Sequence, residues 1–103
     1  MRAEIGRIED FPEGEVRVVR VDGDRVGVCK AEGRLYAFED RCTHDDGPLG
    51  QGRLIGCEVE CPRHGARFDV RDGSVRRAPA VYPIEVYPVT VHDDGRVEVE
   101  LED

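Results

Sequence analysis

Short runs of alternating apolar and polar residues, separated by glycine-bearing turns, occupy most of the chain. Val16-Arg17-Val18-Val19-Arg20-Val21, Arg25-Val26-Gly27-Val28-Cys29 and Leu35-Tyr36-Ala37-Phe38 fill the first half, all rich in residues that suit a pleated surface. Between them lie Asp22-Gly23-Asp24 and Ala31-Glu32-Gly33, whose glycines can take the positive φ of tight hairpins. The second half repeats the style with Glu58-Val59-Glu60, Ala66-Arg67-Phe68-Asp69-Val70, Ile84-Glu85-Val86-Tyr87, Val89-Thr90-Val91 and Val97-Glu98-Val99-Glu100-Leu101. Turns at Asp72-Gly73 and Asp93-Asp94-Gly95 punctuate it, and strong helix signals are missing throughout. Strands at this spacing predict an all-β sandwich or small barrel, with residues 1–103 forming one domain and no linker or repeat dividing it.

A chain of 103 residues hides only about 65% of the surface its unfolded form exposes, so its core is modest. A bound group that favours the folded state adds stability to such a domain. The net charge of −8 predicts a surface that repels nucleic acid and anionic membranes and suits a basic protein face. No apolar stretch follows Met1-Arg2-Ala3-Glu4-Ile5, and no later run approaches the length of a membrane span. These features predict a cytoplasmic, untethered protein.

Two regions resist the strand pattern: the glycine-rich Arg41 to Gly56 and the proline-bearing Arg76 to Pro83. Irregular loops on a rigid sheet scaffold are where function concentrates. The first loop carries Cys42-Thr43-His44, and Cys61-Pro62-Arg63-His64 supplies a second cysteine and histidine after residues 45–60. A 2Fe-2S cluster with two thiolates on one iron and two imidazoles on the other needs that inventory. Two cysteines and two histidines can also form a structural zinc site. Zinc fingers usually give the cysteines as one pair and the histidines as another, whereas here each loop carries both types, so the cluster leads and zinc stays open.

The remaining cysteines, Cys29 and Cys57, lie in strand-like segments. If Cys57 to Cys61 is extended, these two cysteines stand about 13 Å apart, too far for a bridge. Both Cys29 and Cys57 read as buried apolar thiols. His92, beside a turn, reads as a surface residue.

Around the two pairs stand Gly47-Pro48-Leu49, Gly52 and Leu54, then Gly65-Ala66-Arg67-Phe68-Asp69-Val70, Gly73 and Pro79-Ala80. With Cys42-Thr43-His44 and Cys61-Pro62-Arg63-His64, this set closely resembles the Rieske ferredoxin family over nearly the whole chain. The resemblance implies a Rieske fold of three antiparallel sheets, with a small cluster-binding subdomain at about 40–80 and a third, proline-bearing loop covering the cluster. It implies one 2Fe-2S cluster, with Cys42 and Cys61 on the buried iron and His44 and His64 on the outer iron through their Nδ1 atoms. The imidazole edges then form the docking surface. It also implies an electron-transfer protein, not itself an enzyme, that passes single electrons from a flavin-containing, NAD(P)H-dependent reductase to a terminal oxygenase. Nothing demands more than a monomer. The alternatives are a small Rieske-like subunit of a nitrite reductase complex and a zinc-stabilised structural module.

Departures from the family's respiratory branch add detail. That branch joins its ligand loops by a disulfide where Gly47 and Arg63 stand here, and it places hydroxyl donors to the cluster sulfurs where this chain has Ala66 and Phe68. Fewer such donors predict a potential toward the lower end of the roughly −150 to +300 mV Rieske range. Asp45 and Asp46, read as a solvated loop tip, push the same way. Gly47, Gly65 and Gly50 are expected to let backbone amides approach the sulfides, with plain turn chemistry as the alternative. Phe68 is expected to pack, and Pro79 to stiffen the covering loop.

Overall fold

The computed structural model of the chain describes residues 1–101. Its strands are β1 (Arg2–Arg7), β2 (Val16–Val21), β3 (Asp24–Ala31), β4 (Arg34–Glu39), β5 (Leu54–Ile55), β6 (Glu58–Glu60), β7 (Arg67–Asp69), β8 (Val75–Arg77), β9 (Val86–Tyr87), β10 (Val89–Val91) and β11 (Arg96–Glu100). A single 3-10 turn at Ile8–Asp10 is the only helical element among the described residues. No helix there is long and apolar enough to cross a membrane. The strands form three antiparallel sheets, ordered β1-β11-β10, β2-β3-β4-β9 and β5-β6-β7-β8. The all-β expectation holds, and so does the count of sheets.

Turn chemistry sets the middle sheet. Asp22 and Gly23 have φ of 51° and 88°, and Glu32 and Gly33 have 53° and 80°. Two consecutive left-handed residues twist a hairpin in the same hand as its strands, so β2-β3 and β3-β4 close tightly.

The middle sheet is covered on both faces. Val26, Val28 and Ala37 point into a core shared with Val97, Val99 and Leu101, while Cys29, Ala31 and Phe38 point into a second core shared with Val59, Phe68 and Leu49. Gly27 lacks a side chain because a Cβ there would sit 2.5 Å from the Phe38 ring. The second core fills the space between the middle sheet and β5-β8, and it carries the loops that hold the chemistry.

Three strands escape the sequence pattern: β1, β5 and β8. β1 is built on Ala3, Ile5 and Gly6, weak strand formers apart from the isoleucine, and it owes its conformation to pairing with β11. β5 and β8 are two and three residues long and border the glycine- and proline-rich loops.

Candidate metal centre

Both cysteine–histidine loops make the same turn. In the first, the Cys42 amide donates to the Gly47 carbonyl (2.9 Å) and the Cys42 carbonyl accepts from the Asp46 amide (2.7 Å). In the second, the Cys61 amide donates to the Ala66 carbonyl (2.7 Å) and the Cys61 carbonyl accepts from the Gly65 amide (3.0 Å). Four residues after each cysteine the chain must enter the left-handed region: Asp46 has φ 61° and Gly65 has φ 77°. Asp tolerates that conformation better than most residues.

This repeated turn projects the sulfurs inward and the imidazoles outward. Cys42 and Cys61 are buried, whereas His44 and His64 are exposed. The two rings lie edge to face, 5.0 Å between centroids and 82° between planes. Candidate ligand atoms of Cys42, Cys61 and Asp45 lie within 4.8 Å of one another, and so do those of His44, His64 and Asp45. Among the described residues no such set joins a cysteine to a histidine. A tetrahedral zinc ion holds all four ligand atoms within about 3.8 Å of each other. The sulfur pair and the nitrogen pair are instead set as two stations, which fits a two-iron group.

Burial pushes the Cys42 thiol up, so it resists ionising until a cation takes the place of its proton. Cys29 is also pushed up, to about 12, chiefly by burial, and Cys57 is raised for the same reason. All four cysteines are free, and Cys57 donates to Glu32 Oε1 at 3.2 Å. Cys29 and Cys57 are the buried thiols the sequence predicts. His92 faces Glu98 at 2.8 Å on the hairpin between β10 and β11, away from the loops.

The loop glycines and acids find partners within the fold. The Gly47 amide donates to Asp45 Oδ1 (2.9 Å), the Gly50 amide to Asp40 Oδ1 (2.5 Å) and the Gly65 amide to the Cys61 carbonyl (3.0 Å), so the glycines' own amides serve the turns and a buried carboxylate. Asp45 and Asp46 are not a bare acidic tip. Arg63 grips Asp45 with Nε (2.5 Å) and Nη2 (3.0 Å), and Arg41 Nη1 lies 2.5 Å from Asp46. The hydrogen bond from Arg63 holds the Asp45 carboxyl well below the usual carboxylate range. Each carboxylate therefore has an arginine partner, Asp45 largely covered and Asp46 with 76% of its side chain exposed.

The third loop folds onto the first. Thr43 Oγ1 donates to the Tyr82 carbonyl (2.6 Å) and Ala80 packs in the core with Cys42 and Cys61, while Pro79 itself is exposed. Asp40 is a loop-positioning residue that the sequence pattern did not single out. Its buried carboxylate accepts from the Leu49 amide (2.9 Å) and Gly50 amide and pairs with Arg25 Nη2 (2.6 Å), tying the first loop to β3 and β4. Only its place before Arg41, at the end of an alternating strand, hinted at this. A cavity of about 660 Å³ opens elsewhere, lined by Leu35, Tyr36, Val86, Tyr87 and Val89 among others, and none of the four candidate ligands borders it.

Comparison with known proteins fits this arrangement. The Rieske 2Fe-2S domain family matches residues 2–88. The chain belongs to that family. One 2Fe-2S cluster is the cofactor this domain implies. The ferredoxin component of the naphthalene 1,2-dioxygenase/salicylate 5-hydroxylase systems of a Ralstonia species is 38% identical over 95 residues, covering 92% of this chain and 90% of that protein. Among solved Rieske structures, the ferredoxin of carbazole 1,9a-dioxygenase from Nocardioides aromaticivorans superposes with a TM-score of 0.93 at 30% identity, covering 99% of both chains. A chain from the complex of reduced oxygenase and oxidized ferredoxin in carbazole 1,9a-dioxygenase superposes with a TM-score of 0.88 at 34% identity, over 98% of this chain and 97% of that one.

Proposed function

We propose that this Rieske chain carries single electrons from a flavin-containing, NAD(P)H-dependent reductase to a terminal oxygenase. It acts as a cytoplasmic monomer and is not itself an enzyme. Cys42, His44, Cys61 and His64 hold the cluster, and residues of about 40–80 act as one cluster-binding unit on the rest of the domain. The observation that carries this reading is the division of the site into a buried sulfur pair and an exposed imidazole pair. When bound, the group takes up and gives up one electron at a time.

The chain's own residues do the rest. Cys42 and Cys61 fasten the group to the core, while His44 and His64 bring its other end to the surface, where a partner can approach. The net charge of −8 favours encounter with basic protein faces. Relatives named as ferredoxin components of dioxygenase systems support the choice of partners.

Anaerobic purification with iron, sulfide and zinc counted, followed by EPR after reduction, tests the centre. Equal iron and sulfide and a Rieske-type signal are expected, and a colourless protein with one zinc would refute it. Reduction by a purified reductase and reoxidation by a ring-hydroxylating oxygenase test the partners. Failure to exchange electrons with either component would overturn the carrier role.

A further inference from the structure

The respiratory-type link between the ligand loops is impossible here, yet the loops are joined. Arg63 makes three hydrogen bonds between 42–50 and 61–66: two to the Asp45 carboxylate and one from Nη1 to the Pro48 carbonyl (2.8 Å). His64 Nδ1 also approaches Asp45 Oδ2, at 3.5 Å, and the buried Cys42 and Cys61 thiols meet deeper in the site. Asp45 directly follows His44, and Arg63 directly precedes His64. The contact therefore ties the flanks of both exposed histidines.

We propose that Arg63 is a positioning residue, clasping the two cysteine–histidine loops through Asp45 and Pro48 and so setting the imidazole pair against the sulfur pair. This rests on the ligand assignment above.

An exposed ion pair by itself contributes little, because two long side chains must be ordered in water. This one is different in kind. Asp45 keeps only 18% of its side-chain surface and Arg63 32%. The guanidinium binds the carboxylate through two nitrogens and a backbone carbonyl through a third, a fork that lysine cannot reproduce. It also has a seat. A Cβ on Gly47 would lie 2.6 Å from Arg63 Cζ and 2.7 Å from Nη2, so glycine is what lets the fork lie flat on the first loop. Asp45 is preset in turn, because it already accepts from the Gly47 amide (2.9 Å).

The experiment uses the whole, cluster-loaded protein and four forms: wild type, Arg63→Met, Arg63→Lys and Gly47→Ala. Iron release to a chelator is followed by loss of visible absorption, and the reduced forms are compared by EPR. Loss of an outer contact to a metal ligand set typically weakens metal holding, so Arg63→Met is expected to release iron about tenfold faster or more. Its EPR signal is expected to split into more than one species as the histidine flanks come loose, and a contribution to general stability alone would leave the signal unchanged. Arg63→Lys keeps the charge and is expected to fall between. Gly47→Ala keeps every charge while displacing the fork, and is expected to follow Arg63→Met.

Release at the wild-type rate from Arg63→Met, or from Gly47→Ala should Arg63→Met fail to fold, overturns the clasp. A wild-type protein that never binds iron would instead overturn the ligand assignment, so the two failures are distinguishable.

Discussion

The two cores on either side of the middle sheet are built by different means. The core toward β1, β10 and β11 is Phe11, Val21, Val26, Val28, Ala37, Val97, Val99 and Leu101, most of it delivered by alternating strands. The core toward the metal centre contains all four cysteines and takes Leu49, Ala80 and Ile84 from loops. Among the described residues the buried charged ones, Asp40 just past β4 and Asp69 at the end of β7, both lie on the second side. A strand-on-strand core needs little beyond apolar area, whereas loops brought under cover must have their amides satisfied by side chains or by one another. The half toward β1, β10 and β11, the base, is therefore expected to tolerate disruption of the half toward the metal centre, the tip, whose loops rely on a few directed contacts.

The largest expected effect comes from removing a candidate ligand. Cys61→Ser is expected to leave protein without a 2Fe-2S signature, to strip amide-exchange protection from β6, β7 and both loops, and to spare β3 and β11. Uniform loss of protection, checked by hydrogen exchange with mass spectrometry, would erase the distinction between base and tip.

Phe38 joins the two, since it stands in the middle sheet but faces the tip core with no exposed surface. Phe38→Ala is expected to cost about 3–5 kcal/mol in urea unfolding, the range for deleting a buried ring. A cost under about 1 kcal/mol would mean that the tip collapses freely onto the sheet, contrary to close packing.

Asp40 sharpens the same contrast on a smaller scale. Asp40→Ala leaves the Leu49 and Gly50 amides without their acceptor, and buried unpaired groups cost about 1–3 kcal/mol. Asp40→Asn keeps an acceptor oxygen and is expected to lose less. Equal losses in urea unfolding would shift the weight to the Arg25 ion pair instead of the loop amides.

This division also explains how much could be read from the chain. Val16–Val21, Asp24–Ala31 and Arg96–Glu100 are legible because alternation and hairpin glycines are local properties, and the four candidate ligands are legible because their spacing is local too. What stayed hidden is non-local. Nothing near Ala3 or Gly6 shows that β1 will borrow order from β11 at the far end of the chain. Asp45 and Asp46 read as a charged tip because Arg63 and Arg41 become their partners only once the loops close. Asp40 reads as a strand end until Leu49 and Gly50 are folded back over it.

The smallest expected effect concerns acid. Asp69, with 5% of its side chain exposed, accepts from the Arg71 amide (2.9 Å), Nε (3.0 Å) and Nη2 (2.7 Å), and the Arg71 hydrogen bond chiefly lowers its pKa. A carboxyl whose folded pKa lies below its unfolded value of about 3.9 adds stability that is complete above that value and is lost as pH falls through the folded one. Stability is therefore expected to decline on acidification, and Asp69→Asn is expected to flatten that decline, with the gap between variant and wild type closing as pH falls. In the base, Asp94 is also lowered, first by the Arg96 amide, but 58% of its side chain is exposed and salt screens it. Asp94→Asn is expected to flatten the acid limb less than Asp69→Asn at about 0.15 M salt. If urea titrations between neutral and acid pH give the two variants the same slope, burial at the tip is not what makes its carboxylates matter.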